Sequence, residues 1–312
     1  MSRVFEALTK AAEEKQYQAA ESSSDKDGSQ GNDHFSNRHQ VSAREWDFER
    51  NGNEREVTGL PITSLEEKRS WRERIEELVF GWDLRRYSTY PIVALEKDSP
   101  ASEQYKILRE QIKKFRMEAG IHNFTVTSPV KKDGKTTVTA NLAAALALDY
   151  EEKVLLIDGD LRAPTLHRYF NIPEAPGLTD YLSSNSRLIL KDLVQDTFLP
   201  GLRLLPAGNR SHLSSELLAR ERMKQVMEEA RAQFPGHQII IDSPPVLSTP
   251  DPMVIARHVE GILLVMRASK TPRDYLTKAL QSLNSSKVMG VVLNGVELGM
   301  ASKYYYYSTN GA

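Results

Sequence analysis

Three short stretches of this chain combine residue types that handle phosphate. The first reads Thr127-Ser128-Pro129-Val130-Lys131-Lys132-Asp133-Gly134-Lys135-Thr136-Thr137. An apolar, strand-like run from His122 to Thr127 leads into it, and a helix-forming run, Ala140 to Leu146, follows. Gly-Lys-Thr between a strand and a helix sets backbone N–H groups and a helix N-terminus where anionic oxygens collect. Lys135 can then reach β- and γ-phosphates, and the Thr136 hydroxyl suits Mg²⁺. The full pattern G-x-x-x-x-G-K-[ST] asks for glycine where this chain has Pro129, so this stretch alone is an incomplete match. The second stretch, Val154 to Pro164, carries Asp158 and Asp160 where an apolar run ends. Two positions apart on a leaving strand, both carboxylates can face one crevice. Beside phosphate they call for a divalent cation between them; alone, they also fit a polar turn with a helix cap. The third stretch runs from Gln238 through Ile241 to Asp242-Ser243-Pro244-Pro245-Val246. A strand-terminal Asp is the usual metal-side acid of phosphate-loop enzymes. Together the three ends supply one Lys, one Thr and three Asp, a set suited to Mg–nucleotide chemistry.

Such a set needs strands to carry it. Candidate strands are His122–Thr127, Lys153–Ile157, Leu202–Leu205, His237–Ile241, Gly261–Met266 and Val288–Leu293. Helical patterns lie between them at Lys135–Asp149, Ser214–Gln233, Pro252–His258 and Arg273–Asn284. Continuous apolar strands separated by helices indicate a mostly parallel sheet covered on both faces. The fold class is therefore α/β, doubly wound, with ligands at the carboxyl ends of the strands.

Composition bounds the rest. The chain has 312 residues, no Cys and a formal net charge of −1. There is no disulfide framework, thiolate metal site or cysteine nucleophile, and no global charge favouring nucleic acid. The longest apolar runs, Leu142–Leu148 and Ile262–Met266, fall far short of the ~20 residues that span a bilayer. Residues 1–15 have a helical stripe of Val4, Phe5, Leu8, Ala11 and Ala12. Their early Glu6 and missing apolar stretch exclude a secretory signal and point to a cytoplasmic protein. Residues 16–62 read as a disordered linker, because Phe35, Val41, Ala43, Trp46, Phe48, Val57 and Leu60 are too few to offset ordering entropy over residues 21–60. Residues 63–90 read as an amphipathic helix with Trp71, Ile75, Leu78 and Trp82 on one stripe. Residues 91–300 form the main domain, and 301–312 a tail holding the run Tyr304-Tyr305-Tyr306-Tyr307. A contiguous aromatic run has no core-forming period.

The motifs together resemble the bacterial tyrosine kinases of capsule and exopolysaccharide loci, a P-loop NTPase group. Gly134-Lys135-Thr136 is similar to their Walker A end, Val154 to Pro164 to their Walker A′, and Ile241 to Val246 to their Walker B. Thr249-Pro250-Asp251 and Val291-Val292-Leu293-Asn294 resemble further family segments, the last near the adenine pocket. Glu103-Gln104-Tyr105-Lys106-Ile107-Leu108-Arg109 resembles the family's oligomerisation helix.

The resemblance implies an ATP- and Mg²⁺-dependent autokinase. Lys135, Asp158, Asp160 and Asp242 would be catalytic. Asp133, Gly134, Lys135, Thr136, Thr137, Arg162 and Asn294 would bind nucleotide, and Thr136, Asp160 and Asp242 would hold the metal. Tyr304 to Tyr307 would accept phosphate, and Glu103, Lys106 and Arg109 would assemble a ring-like homo-oligomer. It further implies no nucleic acid partner, a separate transmembrane polysaccharide co-polymerase as activator, and recruitment by it to the inner membrane face. Departures from the family pattern are Lys132, where the loop commonly has glycine, and Lys106, where the helix commonly has arginine. A competing class is the partition or division-site ATPase switch. It would place a lysine five residues before Lys135, where this chain has Val130, and would have no use for Tyr304–Tyr307. A nucleotide-binding scaffold with a degenerate kinase loop is the third reading.

Overall fold

The computed structural model describes residues 90–96, 99–149, 152–183 and 188–296. The chain divides into two compact units, Met1–Gly59 and Leu60–Ala312, and the described residues belong to the second. The expected N-terminal helix, linker, Trp71–Trp82 stripe and Tyr304–Tyr307 run lie outside the described residues.

A 20-residue helix, α1 (Pro100–Ala119), comes first. Ser99 caps it, its hydroxyl accepting from Ser102 N at 3.0 Å. Pro100 fills the first turn, where an N–H has no helical partner anyway. Gly120 ends it at φ 65°, a left-handed conformation that glycine adopts without Cβ strain. The order then runs β1 (Asn123–Thr127), α2 (Lys135–Ala147), β2 (Lys153–Asp158), α3 (Leu166–Phe170), α4 (Leu178–Ser183) and α5 (Leu190–Leu193). It continues with β3 (Gln195–Asp196), β4 (Leu202–Leu205), α6 (Ser214–Leu218), α7 (Glu221–Gln233) and β5 (His237–Asp242). It closes with α8 (Asp251–Ile255), β6 (Gly261–Arg267), α9 (Arg273–Ser282) and β7 (Val288–Asn294).

The strands form one sheet in the order β3-β4-β2-β5-β1-β6-β7. Every pairing is parallel except β3 with β4. Alternation along each strand explains the layers. Val154, Leu156, Ile240, Leu263 and Val265 face a core shared with α2. Leu155, Ile157, Ile239 and Ile241 face the opposite core, filled by Met223, Val226, Met227 and Ala230 of α7. Ile262 and Leu264 pack with Ala279 near α9. The second half of helix α2, residues 142–147, is apolar all round and buried: Leu142 and Leu146 are among the largest fully enclosed side chains. Truncating either to Ala would cost about 2–5 kcal/mol.

The expected strands are all present, most extended by a residue at one end. Two features differ from the sequence reading. The pattern Ser214–Gln233 is two helices, broken where Arg220 takes extended backbone at ψ 155°. The break lets Leu217, Leu218 and Met223 all reach the core, which helical periodicity alone does not reveal. The edge strand β3 and the helices α3, α4 and α5 are too short to give a periodic pattern.

Candidate active site

The order β2-β5-β1 puts three strand ends side by side. Asp158 of β2 is in register with Asp242 of β5, and Val126 of β1 is in register with Asp242 on the other side. The loop after β1 leads to Gly134 at φ 90°, which caps the 13-residue α2. The first-turn N–H groups of α2 are therefore open at the mouth of this crevice.

Lys135 and Thr136 open the helix and meet the acids directly. Lys135 Nζ donates to Asp160 Oδ2 at 3.1 Å and lies 3.5 Å from Asp242 Oδ2. Thr136 Oγ1 donates to Asp242 Oδ2 at 2.7 Å. Thr139 lies within reach of the other oxygen of Asp242, at 3.0 Å. Nothing in the sequence reading picked out Thr139; its position one turn beyond Thr136 puts both hydroxyls on one helix face. Burial alone would lower the Lys135 ammonium, but Asp242 and Asp160 outweigh it and raise its pKa to about 12. Burial raises Asp242 despite Lys135 and Thr136.

Asp158 is fully enclosed. Its carboxylate accepts from the backbone N–H of Asp160 (3.2 Å), Thr165 (3.2 Å) and Leu166 (3.1 Å). Burial, with the neighbouring Asp242 and Asp160 charges, pushes it up to about 8. Asp158 thus shapes the chain that presents Asp160. Asp160 Oδ1 accepts from Ala163 N at 3.1 Å. Arg162 Nε pairs with buried Asp251 at 3.3 Å, and its Nη2 donates to Ser215 at 3.2 Å. Ser214 donates to the same carboxylate at 2.7 Å.

The far flank of the loop is built by β6 and β7. Asn294 Nδ2 donates to Asp133 O at 2.9 Å. A Cβ on Gly134 would stand 2.0 Å from that same nitrogen, so glycine is required here for space as well as for φ. Asp133 is buried; its carboxylate accepts from Val130 N at 3.3 Å and from the Thr271 hydroxyl. Asp133 and Asn294 therefore brace the loop through their side chains. Lys132, where the family pattern has glycine, takes φ 70°. Thr137 shares a hydrogen bond with Tyr169 OH at 2.8 Å, and Tyr169 stacks on Tyr90 at 4.9 Å.

Of the residues expected to assemble copies, Lys106 pairs with Glu103 at 2.6 Å on the exposed face of α1. Arg109 Nη1 reaches Ala145 O at 3.4 Å and so ties α1 to α2.

The donor set is hard oxygen: Thr136, Asp160 and Asp242. Among the described residues no three His, Cys, Asp or Glu groups form a self-contained metal cage. Two carboxylates and a hydroxyl suit Mg²⁺, which binds through one or two carboxylates plus phosphate oxygens. The residues present fit a Mg–nucleotide.

The fold and this loop define a nucleotide-binding P-loop domain. Residues 124–305 match the family described as the CobQ/CobB/MinD/ParA nucleotide binding domain. The chain is 34% identical over 220 residues to the tyrosine-protein kinase YwqD of Bacillus subtilis, covering 70% of this chain and 91% of that one. It is 32% identical to the tyrosine-protein kinase ptk of Acinetobacter johnsonii, covering 70% of this chain but 30% of that longer protein. The kinase domain of the Escherichia coli tyrosine kinase ETK superposes with a TM-score of 0.63 at 30% identity, covering 69% of this chain and 83% of that one. This chain belongs to the bacterial tyrosine-protein kinases, within that nucleotide-binding domain family. Among the described residues no helix is long and apolar enough to cross a membrane.

Proposed function

We propose that this chain is an ATP-dependent protein-tyrosine autokinase that phosphorylates Tyr304–Tyr307 on a neighbouring copy. The observation that carries this reading is the cluster of Lys135, Thr136, Asp160 and Asp242 at the N-terminus of α2, linked by contacts of 2.7–3.5 Å. Bound Mg–ATP supplies the transferable phosphoryl group and the divalent charge. The backbone of Gly134 and the first turn of α2, with Lys135, hold the phosphate oxygens. Thr136, Asp160 and Asp242 hold the metal. Asp158, made more basic by burial beside Asp242 and Asp160, takes or steers in its ionised form the proton leaving the tyrosine hydroxyl as oxygen bonds to phosphorus and ADP departs. Rate acceleration then comes from positioning and charge neutralisation.

Tyr304 comes ten residues after Asn294, the last residue of β7, and the site of a neighbour is the target this reading gives it. Glu103, Lys106 and Arg109 on α1 would assemble the copies into a ring. Each phosphate adds about −1.5 to −2 charge, so four would add on the order of −6 to −8. A crevice lined by three aspartates repels such a product, and the ring loosens. This cycle would regulate capsule or exopolysaccharide polymerisation and export, with a separate transmembrane co-polymerase as activator at the inner membrane face.

The test mixes a Lys135→Met chain, whose tail is intact, with a chain whose Tyr304–Tyr307 are Phe. With Mg²⁺ and labelled ATP, phosphotyrosine is expected on the Lys135→Met chain. Its absence there, with ATP hydrolysis retained, favours the ATPase switch; absence of both favours a nucleotide-binding scaffold.

A further inference from the structure

The outer margin of the phosphate loop is cationic. Lys131, Lys132, Arg267, Lys270 and Arg273 are all exposed. They belong to one continuous edge. Arg267 Nη1 reaches Lys132 O at 3.5 Å, and Thr271, which lies between Lys270 and Arg273, bonds to Asp133. The Lys270 and Thr271 amides fold back onto Arg267 O at 3.3 and 3.1 Å. Among the described residues none of these five cations has a carboxylate within ion-pairing distance, whereas Lys135 just inside is held by two. The crevice interior is thus acidic, three aspartates against Lys135, and its margin is basic, with no ion pair to these five cations among the described residues.

The same margin is where the tail begins. Asn294, the last residue of β7, accepts from Ala268 N at 2.8 Å and donates to the loop at Asp133 O. Val296 follows and is 54% exposed. Tyr304 lies eight residues further along the chain. Such a span covers at most about 26–29 Å, so the tyrosine run can fold back onto this edge.

We propose that the edge formed by Lys131, Lys132, Arg267, Lys270 and Arg273 is the docking surface for the phosphorylated tyrosine run of the same chain. This rests on the reading that Tyr304–Tyr307 become phosphorylated. Phosphotyrosines are repelled by the aspartates inside and attracted by the cations outside, and charge-assisted bonds to Arg and Lys are the strong ones. Docking in cis keeps a modified tail out of neighbouring sites and makes its release sensitive to salt. It also gives Lys131 and Lys132 a use that nucleotide binding through Lys135 does not require.

The test uses the full chain with Tyr304–Tyr307 changed to Phe and two fluorescent peptides of residues 296–312, one carrying four phosphotyrosines and one none. The phosphopeptide is expected to bind at least about tenfold more tightly at low salt. That advantage should shrink several-fold as the Debye length falls from about 10 Å to a few ångström. It should vanish in a Lys270→Glu, Arg273→Glu chain whose melting temperature is unchanged. Equal binding of the two peptides, or an advantage that survives charge reversal, overturns the proposal. A second arm ligates the phosphorylated tail onto the chain chemically. It should block the labelled phosphopeptide equally over about a hundredfold range of protein concentration, as intramolecular occupancy does. Blocking that grows with concentration assigns the surface to the tail of a neighbour and overturns docking in cis. Neither arm needs kinase activity, so failure of the autokinase reading would be seen separately, as absent phosphotyrosine with ATP.

Discussion

The two flanks of the phosphate loop solve the same problem by opposite means. On the β2–β5 flank, polar groups are buried and fully engaged: Asp242 is held by Lys135, Thr136 and Thr139, and Asp158 by three backbone N–H groups. On the β6–β7 flank, Asn294 and Thr271 brace the loop from behind, while Lys132, Arg267 and Lys270 stay exposed. Buried charge is costly without a partner, so each interior residue has a dictated identity. Exposed charge is screened, so the outer residues can vary and can serve regulation. The interior sets the chemistry, and the margin sets what happens around it.

The largest effect should come from removing Lys135, the cation that meets Asp160 and Asp242 inside. Lys135→Met is expected to lower phosphotyrosine formation by about 10²–10³-fold or more. It also leaves Asp160 and Asp242 without their ammonium, so thermal stability should fall in nucleotide-free protein. A chain that keeps both activity and melting temperature would sink the division drawn above.

Gly134→Ala comes next. The new Cβ would meet Asn294 Nδ2 at 2.0 Å, at a φ of 90°. Strain of about 1–3 kcal/mol should weaken ATP retention by roughly 5- to 150-fold. Adding Asn294→Ala should recover the steric part and leave the φ part. No recovery in an equilibrium ATP-binding assay would mean that Asn294 does not crowd the loop.

Asp158 predicts a pH dependence. Its pKa rises from 3.8 to about 8 on folding, so the folded state binds its proton more tightly than the unfolded state. The resulting stabilisation is complete below the unfolded value and is lost as pH rises toward the folded one. In metal-free protein, denaturant midpoints should therefore show a downward contribution between about pH 4 and pH 8. Asp158→Asn should flatten that slope; an unchanged slope would show that Asp158 is already ionised in the fold.

The smallest effect belongs to the outer flank. Lys132 sits at φ 70°, which glycine adopts freely, while glycine also gains entropy in the unfolded chain. Lys132→Gly should therefore shift stability by less than about 1 kcal/mol. A larger loss in urea titration would show that the lysine side chain itself holds the loop.

Much of the fold was legible from the sequence because local patterns carry it. Apolar runs such as Val154–Ile157 and Gln238–Ile241 mark buried parallel strands, and Gly134-Lys135-Thr136 marks a helix start that gathers anions. Asp158, Asp160 and Asp242 were visible as strand-terminal acids. Thr139 and Thr271 were not, because an isolated Thr has no pattern until its partner is known, and Asp251 stood only in the family-like segment Thr249-Pro250-Asp251, its pairing with Arg162 unseen. Asp133, Thr137 and Asn294 were expected as nucleotide ligands from the family resemblance alone; their side chains engage Thr271, Tyr169 and the loop backbone.

The amino-acid order by itself determined the strands, the helix that opens at Lys135 and the acids that end β2 and β5. Only the tertiary structure decided that β5 lies between β2 and β1, which puts Asp158 beside Asp242 and both near Lys135. The reason is physical. Periodicity records which residues need burial, whereas the pairing of distant buried charges depends on which strands become neighbours.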